Sequence, residues 1–377
     1  MHRPRMPKTR HIEPRRGDVL VLVGTMKGAF LLRSDGQRTA WELGGPFFPG
    51  QPVYAFNGDD RAGGPTLWAG PESPYYGASL RRSDDFGRTW SEPKQPLRFP
   101  KSTRASLKRI WQIRPGRPQE PDRLYCGVEP AALFASSNRG ESWELVRGLW
   151  NHPHRKRWSP GGGGLCLHTI LPHPASRDKL LVAVSTAGVY RSDDGGRSWR
   201  TSHKGVRAQF LPDPHPPFGQ CVHKVVRDPA RPDRLFLQNH WGLYRSDDDG
   251  LTWKDIARGV PSDFGFALDA HPRQGTAYIV PLESDQFRCT PDARLRVYRT
   301  ATAARSWRAL TAGLPQQDAL ETVLRDGLAT DRVEPAGVYF GTRSGRLYAS
   351  RDEGDSWRLL REGLPPIVSV KTTIVGA

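Results

Sequence analysis

Two short motifs in this 377-residue chain combine side chains that bind metals and transfer protons. Cys166 precedes His168 by two positions, and Cys221 precedes His223 in the same way. Residues two apart in a strand face the same side, so each motif would present a thiol beside an imidazole. These groups are ligands for zinc, iron or copper. The motifs therefore predict a transition-metal site formed by both pairs together with His240.

The same residues allow two other interpretations. Without a metal, the candidate catalytic residues Glu129, His168, His223 and His240 would act as acids or bases. Alternatively, the cysteines pack inward between strands, as free cysteine usually does, and the histidines satisfy buried polar groups. The sequence leaves all three interpretations open, and the identity of any cofactor stays unknown.

A second set of residues predicts binding of an anionic ligand. It consists of positively charged, polar and aromatic side chains near the expected strand ends: Lys27, Glu72, Arg109, Trp111, Asn239, Arg325 and Arg343. Focused positive charge attracts anions, and a tryptophan can stack on a ring. Solvated loops in an arginine-rich protein are the alternative.

A repeated octapeptide, Ser-x-Asp-x-Gly-x-Ser/Thr-Trp, indicates the elements that position these residues. Five copies have Asp or Asn at the third position, namely Asp85, Asn138, Asp194, Asp248 and Asp352. We expect these residues to close tight turns, with Ser and Asp bonding to nearby backbone. Successive repeat tryptophans lie 49 to 56 residues apart, a period that fits four strands with their turns.

The octapeptide is the Asp box, and the repeat region resembles bacterial Asp-box (BNR repeat) β-propellers of the sialidase-like, glycosyl-hydrolase-like superfamily. The resemblance implies a fold and not an activity, because the motif occurs in sialidases, xyloglucanases, sortilin-like receptors and photosystem assembly factors. Classical sialidase activity is not expected, because the family's Phe/Tyr-Arg-Ile-Pro motif is absent. Arg109-Ile110-Trp111 is the nearest match.

These observations predict an all-β protein, a seven-bladed propeller of four-stranded antiparallel blades. The first blade begins at its second strand, near Val19, and lacks an inner strand. The segment 367–375 has no partner in its own blade, so we predict that it completes the first blade and closes the ring. Residues 17–377 would then form one domain, preceded by a basic, disordered tail at 1–16.

Composition limits the cellular context. The formal net charge is +17, but no RNA-binding or helix-turn-helix pattern accompanies it, so nucleic acid is not an expected partner. The N-terminus has no apolar signal region, and no apolar run reaches the roughly 20 residues of a membrane span. We therefore expect a cytoplasmic protein without a membrane partner. Four cysteines do not constitute a disulfide framework in a chain of this length.

The sequence thus predicts a monomeric, hydrolase-like propeller with a His/Cys/Glu pocket at the channel mouth for a small anionic ligand, with metal assistance as an option. The alternative is a non-catalytic binding or assembly-factor propeller for a protein partner. The resemblance extends to propellers that we associate with small ubiquitin-like sulfur-carrier proteins, which makes such a carrier one candidate partner.

Overall fold

The computed structural model describes residues 8–61, 65–300 and 306–376. Seven four-stranded antiparallel sheets surround a central channel as blades, which confirms the predicted propeller. Regular helix in the described residues is limited to one α-helical and three 3₁₀ segments, at Arg147–Trp150, Lys101–Thr103, Pro153–Arg157 and Pro291–Ala293. None of these could cross a membrane, because the longest has five residues and a span needs about 20.

The strands of each blade follow one another from the channel outwards. Blade 1 consists of Ile367–Ile374, Val19–Thr25, Gly28–Ser34 and Glu42–Phe47. Blade 2 consists of Val53–Asp59, Thr66–Ser73, Gly77–Ala78 and Arg81–Ser83. Blade 3 consists of Arg109–Pro115, Leu124–Glu129, Ala132–Ser136 and Glu144–Leu145. Blade 4 consists of Leu167–Pro172, Leu180–Val184, Gly188–Ser192 and Arg200–Thr201. Blade 5 consists of Val222–Arg227, Leu235–Asn239, Leu243–Ser246 and Lys254–Asp255. Blade 6 consists of Gly265–Ala270, Ala277–Pro281, Val297–Thr300 and Arg308–Leu310. Blade 7 consists of Leu328–Thr330, Val338–Gly341, Leu347–Ser350 and Arg358–Arg361. In blade 2 the last two segments both pair with the second strand.

The C-terminal strand closes the ring as predicted. Ile367–Ile374 pairs antiparallel with Val19–Thr25 and supplies the inner strand that blade 1 otherwise lacks. The junction with blade 7 is also held by a buried ion pair between Arg38 and Asp331, whose nearest atoms are 3.2 Å apart. The strand pairing and the ion pair thus join the two ends of the chain. Blades 1 and 7 depend on each other, and the inner edge of blade 1 is not left exposed.

The repeated octapeptides form hydrogen-bonded turns between third and fourth strands. In blade 4, Oδ1 of Asp194 accepts from the backbone N–H of Ser198 at 2.9 Å, and Oδ2 accepts from its hydroxyl at 2.6 Å. The Ser192 hydroxyl donates to Asp194 and accepts from the N–H of Gly196, both at 2.8 Å. Gly196 has a φ of 95°, a conformation that other residues rarely adopt. Equivalent bonds occur at Asp85, Asn138, Asp248 and Asp352.

The predicted disordered tail is wrong for its second half. Residues 8–16 are described, and Arg10 exchanges two backbone hydrogen bonds with Gly45 at 2.8 and 3.0 Å. Ile12 is 5% exposed and packs against the core of blade 1. The segment pairs with the outermost strand of blade 1 and covers an edge that would otherwise be open. The stabilisation from this pairing outweighs the tendency of a basic segment to stay disordered. The first part of the predicted tail, residues 1–7, lies outside the described residues.

Substitution of the blade 4 turn tests whether its carboxylate acts through charge or through hydrogen bonds. The hydrogen bonds from Ser198 hold the pKa of Asp194 below its usual range, so the turn stabilises the fold above about pH 4 and loses this contribution as the pH falls. Asp194→Ala should lower the free energy of unfolding at pH 7 by about 1–2 kcal/mol, because at least two hydrogen bonds are lost. Urea unfolding at pH 7 and pH 3 measures both effects.

Asp194→Asn is the matched variant, because blade 3 already uses an amide there. Asn138 Oδ1 accepts from the N–H of Ser142 at 3.0 Å, and its Nδ2 donates to the Ser142 hydroxyl at 2.8 Å. The Asn variant should keep most of the stability at pH 7 and lose less of it at pH 3 than the wild type. Equal losses for Asn and Ala at pH 7 would show that the charge, and not the bonding pattern, stabilises the turn.

Candidate functional site

A cavity of about 1000 Å³ opens at one end of the channel. Its walls come from the face that carries the connections between second and third strands. These connections contribute Thr186, His240, Arg288 and Arg343. The glycine segment Gly161–Gly164 forms part of the rim of the cavity. The octapeptide turns lie at the opposite ends of the strands and do not reach this cavity.

β-Bulges in the innermost strands determine which side chains line the cavity. In six of the seven blades, the described inner strand shifts register by one residue against its neighbour. The residues at these bulges are Val368, Tyr54, Trp111, His168, His223 and Phe266. All of them except His168 line the cavity. Since a bulge bends its strand and redirects a side chain, simple alternation does not predict this set.

Cys221, His223 and His240 form a compact cluster on the cavity wall. One ligand atom from each lies within 4.8 Å of the others, and Cys221 Sγ is 3.7 Å from His223 Nε2. The Nδ1 of His223 is 2.6 Å from the carbonyl oxygen of Gly265. This bond requires a proton on Nδ1 and leaves Nε2 with its lone pair in the neutral ring. Asp285 Oδ2 lies 3.4 Å from Nε2 of His240.

Burial keeps both imidazoles of the cluster neutral. It lowers the pKa of His223 well below the usual range, and the charge of Arg325 adds to this effect. Burial also lowers the pKa of His240, against the opposing charge of Asp285. Burial raises the pKa of the Cys221 thiol, whereas Arg325 and a hydrogen bond from the backbone of Thr186 lower it. A neutral imidazole can accept a proton or bind a cation.

The second Cys-x-His pair does not join this cluster, contrary to the prediction. His168 is fully buried, with Nε2 2.9 Å from the carbonyl oxygen of Val222 and Nδ1 3.0 Å from the hydroxyl of Thr169. Both ring nitrogens are therefore occupied, and His168 serves as a contact between blades 4 and 5. Cys166 is also buried, and its Sγ accepts a hydrogen bond from Arg325 at 3.3 Å. Cys166 and His168 therefore follow the alternative interpretation, in which the cysteine packs inward and the histidine satisfies buried polar groups.

Arg325, Trp111 and Glu129 form another part of the cavity wall. The guanidinium of Arg325 lies 5.1 Å from the ring centre of Trp111, and Trp111 Nε1 donates to Glu129 Oε2 at 3.3 Å. Gly164 packs directly on this carboxylate, since a Cβ there would stand 2.7 Å from Glu129 Oε1. All three residues line the cavity as predicted from the sequence.

The remaining predicted ligand-binding residues divide between the cavity and its surroundings. Arg343 and Arg109 line the cavity, but Arg109 is engaged by Glu72, which accepts hydrogen bonds from its Nε and, at 3.0 Å, from an Nη. Glu72 supports the wall without lining it. Lys27 is exposed away from the cavity, which corrects its assignment. Asn239 is also outside it, because its buried amide donates to the carbonyl of Arg207 at 2.7 Å and holds a loop.

Several cavity residues were not predicted from the sequence. They are Tyr54, Phe266, Arg288 and Asp326. A usable signal existed, because Tyr54, Trp111, His168 and His223 follow one another at intervals of 57, 57 and 55 residues, close to the repeat period. Aligning the repeats on these positions would have placed an aromatic or imidazole ring at each bulge.

Asp326 is a charged wall residue whose charge is already compensated. Lys224 Nζ and Lys371 Nζ each lie 2.6 Å from its Oδ1, and Asp326 and Lys224 are buried. Burial favours the protonated carboxyl, but the two ammonium groups prevail and lower the pKa of Asp326 below its usual range. Asp326 therefore stays ionised and cannot serve as a proton donor at neutral pH.

No protein-family model matches the chain, but relatives and solved structures do. Xyloglucanase Xgh74A of Acetivibrio thermocellus is 26% identical over 212 residues, which is 48% of this chain and 23% of that protein. The GH74 xyloglucanase structure from Xanthomonas campestris superposes with a TM-score of 0.60 at 19% identity, over 96% of this chain and 53% of that one. The structure of YCF48 bound to D1 peptide gives a TM-score of 0.52 at 11% identity, over 94% and 88%.

These similarities show the propeller architecture and a resemblance to xyloglucanase propellers. The aligned region spans about a quarter of the curated xyloglucanase, so the activity of that whole protein does not transfer with the fold.

Removing the Asp326 carboxylate tests how far the channel depends on it. Asp326→Asn should lower the free energy of unfolding at pH 7 by about 3–5 kcal/mol, because it leaves buried Lys224 and its neighbour Lys371 without a counter-ion. Urea unfolding followed by tryptophan fluorescence provides the measurement. Asp355→Asn is the control, since Asp355 pairs with Arg299 at an exposed position and should contribute less than about 1 kcal/mol. Equal effects would mean that the channel charges contribute no more than surface pairs.

Proposed function

We propose that the protein is a hydrolase-like enzyme that acts on a small anionic ligand held in the channel-mouth cavity. One observation carries the proposal: a cluster of neutral imidazoles and a thiol shares a cavity of about 1000 Å³ with several arginines. Titratable groups with shifted pKa values in a concave site are typical of catalysis, and a cavity of this size accommodates a small molecule.

The charges on the cavity wall favour an anion. Among the described wall residues the acids are Glu129 and Asp326, and Asp326 is neutralised by two lysines. Arg109 is similarly offset by Glu72. The arginines not paired with a carboxylate in this way are Arg157, Arg288, Arg325 and Arg343. Their charge exceeds the single Glu129 carboxylate, so the interior attracts negative groups.

Aromatic side chains of the cavity wall favour a second property of the ligand, a ring. Tyr54 and Trp111 lie 4.9 Å apart by ring centres on one wall, and Phe266 stacks on His223 on the other. Such surfaces accept a ring. Because relatives of the chain are xyloglucanases, an anionic sugar, such as a sugar acid or a sugar phosphate, satisfies both the charge and the shape of the cavity.

The reaction chemistry differs from that of a two-carboxylate glycosidase. Such an enzyme needs a protonated and an ionised carboxyl group facing one bond. Glu129 lines the cavity, but Glu72 is bound to Arg109, and the remaining wall acid, Asp326, is buried with its Oδ1 held by Lys224 and Lys371. Without a metal, the neutral rings of His223 and His240 can accept a proton and provide the base function. With a metal, they would instead hold the ion, which would activate a bound water. The Asp-box turns support membership of the sialidase-like superfamily, without classical sialidase activity.

A second candidate function is binding of a protein partner without catalysis. Large side chains are exposed in loops of the cavity face, including Tyr75 at 88%, Tyr76 at 93% and Phe287 at 64%. YCF48, a propeller of similar fold, is known in complex with a peptide. A protein docked on this face would cover the aromatic residues and reach the arginines.

A ligand panel tests the proposed enzyme. Sugar acids and sugar phosphates should raise the melting temperature, and their neutral parent sugars should not. Arg288→Gln/Arg343→Gln should weaken binding by calorimetry at least tenfold, since hydrogen bonds to charged groups contribute about 1.5–3 kcal/mol each. Both arginines are exposed, so folding should be unaffected.

Arg197→Gln is the matched control, because Arg197 is an exposed arginine in an octapeptide turn on the opposite face. It should leave binding unchanged. Bound ligands are then followed for hydrolysis of their ester, glycosidic or phosphate bonds. Binding without turnover would favour the partner-binding function, and equal affinity for neutral sugars would contradict the anionic site.

A further inference from the structure

We propose that Cys221, His223 and His240 bind one zinc-type transition-metal ion, with an open coordination position facing the cavity. Its role in hydrolysis rests on the proposed function, whereas the binding of the ion does not. The sequence predicted five ligands, four from the two motifs together with His240, and in the structure three of them converge. Two nitrogens and one thiolate form a donor set typical of zinc and unsuitable for calcium or magnesium.

The spacing of the ligand atoms fits tetrahedral coordination. With bonds of about 2.3 Å to sulfur and about 2.05 Å to nitrogen, a tetrahedral ion separates these two atoms by about 3.6 Å. Cys221 Sγ and His223 Nε2 are 3.7 Å apart. The ligand atom of His240 also lies within 4.8 Å of both, so all three side chains can reach one ion.

Neighbouring groups orient the imidazoles as they do around known metal sites. Histidine ligands usually donate their other ring N–H to a carbonyl or a carboxylate, which fixes the tautomer. The Nδ1 of His223 meets the Gly265 carbonyl at 2.6 Å, so Nε2 is the nitrogen left for the ion. Asp285 stands beside His240, and Phe266 stacks on the His223 ring at 4.4 Å between centres. The ring of His223 is therefore held before any ion arrives.

The sulfur of Cys221 is available as a ligand. The guanidinium of Arg325 donates its hydrogen bond to Cys166 Sγ, at 3.3 Å. Cys221 is partly buried and lines the cavity together with both histidines. Three protein ligands and one position open to a cavity are characteristic of catalytic zinc, where a bound water occupies the fourth position. The surrounding arginines would then place an anionic substrate beside that position.

The other described cluster of ligating residues lacks these features. His173, Asp233 and Asp249 also come within 4.8 Å of one another. However, Asp249 is already bound by Arg227 at 2.8 Å and by Arg191 at 3.4 Å. Its charge is compensated, and the cluster does not border the cavity.

Metal content tests the proposal directly. The full chain, produced without a histidine tag, is loaded with zinc, passed through a desalting column and measured by elemental mass spectrometry. We expect about one zinc per chain. Cobalt loading should give a thiolate-to-cobalt absorption band in the near ultraviolet, which reports a sulfur ligand without any enzyme assay. Cys221→Ser and His240→Ala should each reduce the retained metal at least tenfold and remove the cobalt band.

Cys166→Ser is the matched control, because the same motif in blade 4 points into the protein. It should retain the metal and the cobalt band. Circular dichroism of each variant distinguishes loss of a ligand from loss of the fold. Absence of retained zinc and cobalt in the folded wild type would overturn the proposal, as would retention by a folded Cys221→Ser/His240→Ala variant. Anion binding by metal-free protein is measured separately, so failure of the ion site and failure of the anionic-ligand function are distinguishable.

Discussion

The close approach of neighbouring blades around the channel is the constraint on which the site depends. The second strand of one blade lies so near the innermost strand of the next that a Cβ at Gly24 would stand 2.2 Å from the carbonyl oxygen of Val53. At Gly127 the corresponding distance to Leu167 is 2.4 Å. A bulge follows each of these contacts. Each bulge ends the regular alternation and redirects one side chain, which is Tyr54, on the cavity wall, in blade 2 and His168, between blades 4 and 5, in blade 4. Glycine in one blade therefore determines where a side chain of the next blade lies.

The architecture was predictable because its signals are local and repeated. The octapeptide contains its own hydrogen-bonding partners, as Asp194 and Ser198 show, and it forms the same turn in whichever blade it occurs. The ring closure followed from a simple count, since blade 1 lacked a strand and 367–374 had none to pair with. The packing of residues 8–16 was missed because one buried residue, Ile12, carries little weight against a basic composition.

The site was only half predictable, and the two Cys-x-His motifs show why. The residue after each histidine differs: Thr169 follows His168, and Lys224 follows His223. The Thr169 hydroxyl binds the nearby imidazole and completes its hydrogen bonding, whereas Lys224 turns to Asp326 and leaves one nitrogen of His223 available. Identical motifs thus have different roles, decided by an adjacent side chain and a neighbouring blade that no spacing rule includes.

Charge compensation inside the channel explains why the uncompensated arginines of the cavity wall matter more for ligand binding than the net charge of +17. Burying an ion pair costs desolvation energy, and a buried charge without a partner costs more. The protein therefore pairs Asp326 with two lysines and Arg109 with Glu72, and these residues need nothing from a ligand. Arg325 has only a cysteine sulfur and an aromatic face as neighbours in its described contacts, and neither neutralises it. A buried cation in this position would be stabilised by an anion that enters the cavity, which is the physical basis of the proposed anionic ligand.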